Sequence, residues 1–246
     1  MFKLTISPED LEKLELVSFQ GTIHVISKPG WEFSRAIAYL KKQSIIGFDT
    51  ETKPVFNSWQ HHNGVALLQL SGPDQAFLFR IQKLGMRGRL CSILSNPNII
   101  KVGAAALDDI RGLQQYRSFD PRGFVDLQKI VWEWGIRDKS VKKMAANILG
   151  VRISKSQQLS NWEAETLNEH QQKYAATDAW ICREMYLKLL DSEKHPLKPE
   201  EMLPPEQQPL EIRDPEAAEK KNVHRRRYYK RKKKTSNDKG LPEKGA

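Results

Sequence analysis

The stretch SIIGFDTET, residues 44–52, constrains this chain more than any other. Its apolar half predicts a buried strand. In a strand, alternate side chains project to the same face, so Asp49 and Glu51 stand side by side at its end. Two adjacent carboxylates repel unless a cation, a proton or water relieves them. A divalent metal is the economical answer, because Mg²⁺ and Mn²⁺ prefer hard oxygen ligands. The structural alternative is a solvated strand end running into the turn at Lys53–Pro54.

The neighbouring segments set this strand in an alternating pattern. TIHVIS (22–27), GVALLQLSG, QAFLFRI and NIIKVGAAA are predicted strands, with Gly72, Pro73 and Asp74 turning between the second and third. GWEFSRAIAYLKKQ carries Trp31, Phe33, Ala36, Ile37 and Leu40 at helical spacing. RGRLCSILSN, LDDIRGLQQY, SVKKMAANILG and LNEHQQKYAATDAWICREMYLKLL are further predicted helices. Hairpin strands first and strand–helix alternation later predict an α/β domain with a mixed central sheet.

Two more acidic positions stand out. Asp108 and Asp109 fall near a helix start, where the helix dipole alone accounts for acids. Tyr174 and Asp178, four apart, share one helical face. Ala175, Ile181, Cys182 and Met185 lie nearby, so that face is expected to be buried. A buried Asp is costly unless paired or metal-bound. Each position has a structural explanation alone, but open α/β sheets gather ligands at strand ends and the helices that follow.

A chain of 246 residues forms one large domain or two small ones. No apolar run approaches the ~18 residues of a membrane span. The opening MFKLTISPEDLEKLELV has acids where a signal peptide needs a basic start and an apolar stretch, so an intracellular protein is expected. That means cytoplasmic in a bacterium, with a nuclear location open in a eukaryote. Cys91 and Cys182 are too few for a disulfide framework or a cysteine zinc site.

The net charge of +10 is concentrated in KKNVHRRRYYKRKKK (220–234), which holds ten Lys or Arg and no acid, leaving the remainder neutral. Between the folded part and this run, residues 191–215 carry six prolines. Pro lacks the backbone donor that helices and sheets need, and the stretch is poor in apolar residues. The expected organisation is a domain over 1–190, a Pro/Glu-rich linker over 191–219 and a basic, disordered tail over 220–246.

With these motifs in hand, the chain resembles the DEDD-type 3′–5′ exonucleases of the ribonuclease H-like superfamily. The likeness is to the tyrosine branch, which includes the Werner helicase exonuclease domain and the ribonuclease D group. GFDTET matches the first motif, KVGAAALDDIRGL the second and YAATDA the third, over about residues 20–190. The resemblance implies a ribonuclease H-like fold, a mixed central sheet flanked by helices.

It also implies that Asp49, Glu51 and Asp178 ligate metal. The second-motif acid is Asp109 or Asp108, with the spacing from KVG to Leu113 favouring Asp109. The implied cofactors are two Mg²⁺ or Mn²⁺ ions, and the implied reaction is hydrolysis of DNA or RNA from its 3′ end. Tyr174 would orient the attacking water, with Asp49 and Glu51 as its catalytic companions. His170 lies eight residues before Asp178, out of place for the histidine branch, and is set aside as a polar surface residue.

The implied partner is nucleic acid with a single-stranded or recessed 3′ end; no membrane or protein partner is implied. Contacts to it are expected at Thr50 and Thr52 and at Trp162, which ends the loop KSQQLSNW (155–162). In the tail they are expected at Arg225, Arg226, Arg227, Tyr228 and Tyr229, where cations meet phosphates and rings can stack on bases. A solvated tail or a nuclear address are the alternatives there. The rival functions are a nucleic-acid-binding adaptor that kept the fold but lost hydrolysis, and an assembly module.

Overall fold

Asp49 and Glu51 lie in the second half of an inner strand of a six-stranded sheet. The computed structural model describes residues 1–55 and 63–203, so the basic tail and much of the 191–219 linker lie outside the described residues. In chain order the elements are α1 (Pro8–Glu12), β1 (Glu15–Leu16), β2 (Thr22–Ile26), α2 (Trp31–Leu40), β3 (Ile45–Thr52), β4 (Val65–Ser71) and β5 (Gln75–Arg80). Next come α3 (Ile81–Leu84), α4 (Gly88–Leu94), β6 (Ile100–Gly103), α5 (Ala106–Gln114), β7 (Phe124–Asp126), α6 (Leu127–Ile130) and a 3₁₀ turn over Val131–Trp134. The series closes with α7 (Val141–Leu149), β8 (Val151–Arg152), α8 (Glu169–Leu190) and α9 (Pro199–Met202). No described helix is long and apolar enough to cross a membrane.

The sheet runs β2-β5-β4-β3-β6-β7. β3–β4 and β4–β5 are antiparallel, whereas β2–β5, β3–β6 and β6–β7 are parallel. It is the mixed sheet flanked by helices that the alternation predicts. The pleat divides the strand side chains between two cores. Phe48, Leu68, Leu70, Phe77 and Phe79 pack with α2, α4 and α5 on one face. On the other, Val102 joins the buried side of α7 and α8, while Leu67 and Leu78 meet Trp162 and Ala175.

Three features carry no periodic signal in the sequence. β1 and β8 are two residues each and pair in parallel as a separate ribbon. The N-terminal segment is tied to the body by Asp138, whose carboxylate accepts from Thr5 Oγ1 at 2.7 Å and from the Ile6 N–H at 2.8 Å. Lys101, inside β6, is fully buried and donates to the carbonyls of Asn96 and Ile99, both at 2.7 Å.

The chain divides into two units, Met1–Pro196 and Leu197–Ala246. The first extends past α8 because the Trp134 indole donates to the Ser192 carbonyl at 3.1 Å and the Lys194 ammonium lies over the Trp134 ring. In the second unit, α9 is capped by Glu201, which accepts from the Lys198 N–H at 2.7 Å.

Candidate active site

β3 pairs with β4 so that Asp49 stands opposite Gln69 and Glu51 opposite Leu67. All four therefore face α8. Close packing of that helix depends on Gly47, two residues before Asp49 on the same face. A Cβ at Gly47 would lie 1.8 Å from the Ala179 carbonyl oxygen, so only glycine lets the backbones approach this closely. Ala175, Ala176 and Ala179 keep the helix side of the contact small and buried. The Arg183 guanidinium donates to the Ile45 carbonyl at 3.1 Å and fixes the helix along the strand.

At its start, α8 carries a capping box: Asn168 accepts from the Gln171 N–H at 2.9 Å, and Gln171 accepts from the Asn168 N–H at 3.1 Å. With the helix anchored, Asp178 arrives beside Asp49 and Glu51. Carboxylate oxygens of these three residues lie within 4.8 Å of one another.

The fourth acid comes from α5. This helix begins after Ala105, the one non-glycine residue with positive φ (59°) among the described residues. That conformation is unfavourable for a residue with a Cβ. It is held by a hydrogen bond from the Ala105 N–H to Asp126 Oδ1 at 3.0 Å. The resulting phase of α5 turns Asp109 inward, where it accepts from Thr50 Oγ1 at 2.5 Å. Asp108 points away; its side chain is 88% exposed and pairs with Arg111 at 3.2 Å. Of the two acids in LDDIRGL, Asp109 is thus the one that meets β3.

Charge crowding dominates the electrostatics. Burial, then Asp178, Glu51 and Asp109, hold Asp49 well above the usual carboxylate range. Glu51 is pushed up to about 9 by burial and then by Asp178 and Asp109. Asp178 rises to about 7 through burial, opposed by a hydrogen bond from Tyr174 and by the charge of Lys155. Asp109 rises to about 6, again through burial and against the Thr50 hydrogen bond. Neutral water cannot hold four such groups ionised together, whereas divalent cations can. The donors are hard oxygens in a tight cluster, so the residues present fit Mg²⁺ or Mn²⁺.

The Tyr174 phenol is raised far above its ordinary value by burial and then by the charges of Asp178 and Glu51. It stays protonated and donates to Asp178. Its ring leans on Trp162, with centroids 5.9 Å apart. Trp162 itself is fully buried against Leu67, Leu78 and Ala175, which corrects the expectation that it contacts nucleic acid directly. The apolar floor under α8 claims the ring, so it supports Tyr174 instead of offering a stacking face. Thr50 is engaged with Asp109, and Thr52 is exposed at the strand end. His170 is exposed. Arg225, Arg226, Arg227, Tyr228 and Tyr229 lie outside the described residues.

Sequence reasoning missed two residues that shape this region. Arg80, nearly buried at the end of β5, donates to the Ala164 carbonyl and so ties down the segment that brings in Trp162. A charged residue closing an apolar strand was the available signal, as it is for Asp49. Gln69 is the other. It is fully buried opposite Asp49, and among the described residues neither amide atom has a hydrogen-bond partner. Its place in VALLQLS, an amide between two leucines of an apolar run, was visible in the sequence.

Comparison with known proteins agrees with this geometry. Residues 25–192 match the family model described as 3′–5′ exonuclease. The exonuclease mut-7 homolog of Aedes aegypti is 26% identical over 193 residues, covering 68% of this chain and 26% of that protein. Exonuclease 3′–5′ domain-containing protein 2 of Mus musculus is 32% identical over 179 residues, covering 65% and 26%. The chain thus spans about a quarter of the length of these curated relatives. Among solved structures, the Aedes aegypti Nibbler EXO domain superposes with a TM-score of 0.63 at 22% identity, covering 71% of this chain and 91% of that one. Escherichia coli RNase D gives 0.61 at 23%, covering 69% and 44%. These two likenesses show the shared fold, of the ribonuclease H-like type, and the family match spans the strands and helices that bear all four acids: the chain belongs to the 3′–5′ exonuclease family.

Proposed function

We propose that this chain is an active exonuclease that removes nucleoside monophosphates from the 3′ end of a nucleic acid strand, using a pair of divalent cations. The observation that carries the proposal is the convergence of Asp49, Glu51 and Asp178 within 4.8 Å, in surroundings where they cannot all be ionised without cations. Asp49, Glu51 and Asp178 would hold the ions directly, and Asp109 would complete the set from α5. Bound there, Mg²⁺ or Mn²⁺ supplies a water activated at neutral pH and charge neutralisation at the leaving 3′-oxygen.

The chain's own residues do the positioning. Tyr174 is too weak an acid to release its proton at neutral pH; with that proton donated to Asp178, its hydroxyl oxygen would orient a water by accepting from it. Thr50 keeps the Asp109 carboxylate aimed inward. Lys155 brings positive charge to Asp178 from the loop after β8. Thr52, exposed beyond Glu51, would touch the terminal nucleotide.

The test is a time course on end-labelled DNA and RNA with Mg²⁺, Mn²⁺ or EDTA, comparing wild type with Asp49→Ala and Asp178→Ala. Each variant should fall to the level of the EDTA control while keeping its circular dichroism spectrum. Unchanged release of 3′ nucleotides by both would sink the metal assignment. A wild type that binds the strand without shortening it would instead mark a binding protein that lost hydrolysis.

A further inference from the structure

α8 has a second polar surface beside the acids. Residues 170, 173, 174 and 177 follow helical spacing and line a cavity of about 150 Å³. Ser154 and Ser156, in the loop after β8, close its other side. Among the described residues, no Asp or Glu lines it. Lys173 is half-buried there, and among the described residues no carboxylate pairs with it. His170 adds a ring N–H in either tautomer. Ser154 Oγ donates to Ser156 Oγ at 2.9 Å, leaving the Ser156 hydroxyl proton free to donate outward.

The Thr177 hydroxyl is spent on the fold: it accepts from the Phe19 N–H at 3.0 Å and donates to the Lys173 carbonyl at 2.6 Å, which fixes the cavity floor. The cavity is thus a set of donors and one unpaired cation, the chemistry that receives an anion. Its volume of about 150 Å³ is large enough to admit a phosphate group.

Tyr174 ties this cavity to the acids. Its ring lines the cavity while its hydroxyl reaches Asp178. A strand whose scissile phosphate lies at the acids would have this cavity next to it. We propose that the cavity binds a backbone phosphate of the substrate strand, with Lys173 as its cation and His170 and Ser156 as hydrogen-bond donors. The inference rests on the function proposed above. A 3′-terminal nucleotide brings no phosphate beyond the scissile one, so a second phosphate held here belongs to the strand that remains after cleavage. The site would then grip the retained strand between successive cuts.

Binding of fluorescein-labelled ten-mers of thymidylate and uridylate to the full chain in EDTA tests this without requiring hydrolysis. Lys173→Gln should weaken binding about tenfold, the scale of one charge-assisted hydrogen bond. It should also reduce the slope of log K against log salt by about 0.7, the loss of one single-strand phosphate contact. Lys42→Gln, an exposed lysine just after α2 on the opposite side of the sheet, controls for the change in net charge. Unfolding midpoints of both variants check the fold, and Ser156→Ala gives a milder second probe of the same cavity.

If Lys173→Gln matches Lys42→Gln in affinity and slope, the phosphate assignment is overturned. An equal loss of affinity for thymidine 5′-monophosphate would assign the cavity to the released nucleotide and overturn the strand assignment. Absence of hydrolysis by the wild type, with Lys173-dependent binding intact, would remove the proposed enzyme activity but leave the phosphate site standing.

Discussion

Among single residues, Asp178 shows how the site trades stability for cation binding. Its carboxyl is pushed up to about 7, and Glu51 and Asp109 to about 9 and about 6. All lie above the ~4 of an unfolded carboxylate. Between pH 4 and 9 the metal-free folded state therefore binds more protons than the unfolded chain. Its stability falls as pH rises through that window. In EDTA at pH 8, Asp178→Asn should raise unfolding stability by an amount on the order of 1 kcal/mol or more, since a carboxyl whose pKa is tenfold weaker in the folded state costs about 1.4 kcal/mol to ionise there. The gain should shrink toward pH 5, where wild-type carboxyls are protonated. Added Mn²⁺ should reverse the ranking, because wild type gains about 2.7 kcal/mol at a hundredfold excess over Kd and the variant gains less. Denaturant unfolding at several pH values, with and without Mn²⁺, measures each part; a variant no more stable than wild type in EDTA at pH 8 would contradict the crowding argument.

For the elements, the site depends on how close α8 can come to β3. Gly47→Ala would put a methyl group 1.8 Å from the Ala179 carbonyl oxygen, in contact with rigid backbone on both sides. The helix must move, and overpacking of this kind costs typically 1–3 kcal/mol. Asp178 adjoins Ala179, so the variant should also bind Mn²⁺ more weakly than its stability loss alone accounts for; calorimetric titration at a temperature where it is folded checks this. Most of this arrangement was legible in SIIGFDTET and YAATDA, because strand alternation and helical spacing fix which side chains share a face. The choice between Asp108 and Asp109 was legible only in part, through the spacing from KVG to Leu113 that favours Asp109. It depends on the phase of α5, set by the left-handed turn at Ala105 and its bond to Asp126, which no local pattern encodes. Trp162 was misjudged for a similar reason: an indole in a polar loop looks exposed until the floor formed by Leu67, Leu78 and Ala175 is known. The ribbon of β1 and β8 escaped because two residues have no periodicity to detect.

The charge of the whole chain is divided between a neutral body and a basic run, so binding of a polyanion should have two separable parts. Lys155 and Lys173 would act locally, at the acids and in the adjoining cavity. The ten Lys and Arg of residues 220–234 would act on phosphates without regard to sequence. Each phosphate neutralised on a single strand contributes about 0.7 to the salt slope, so even half of those cations would outweigh the contribution of Lys173. Deleting residues 220–246 should therefore weaken binding of a long single strand at low salt and flatten its salt dependence by several units of slope. It should do less to a strand of a few nucleotides, which is too short to reach both parts. Anisotropy titrations of long and short labelled strands between 50 and 200 mM salt, the range over which multi-phosphate contacts lose most affinity, compare the two directly. A deletion that leaves the slope unchanged would show that the basic run binds something other than the substrate. The body's own affinity, carried by the cavity beside Tyr174, would then be the whole of its grip on nucleic acid.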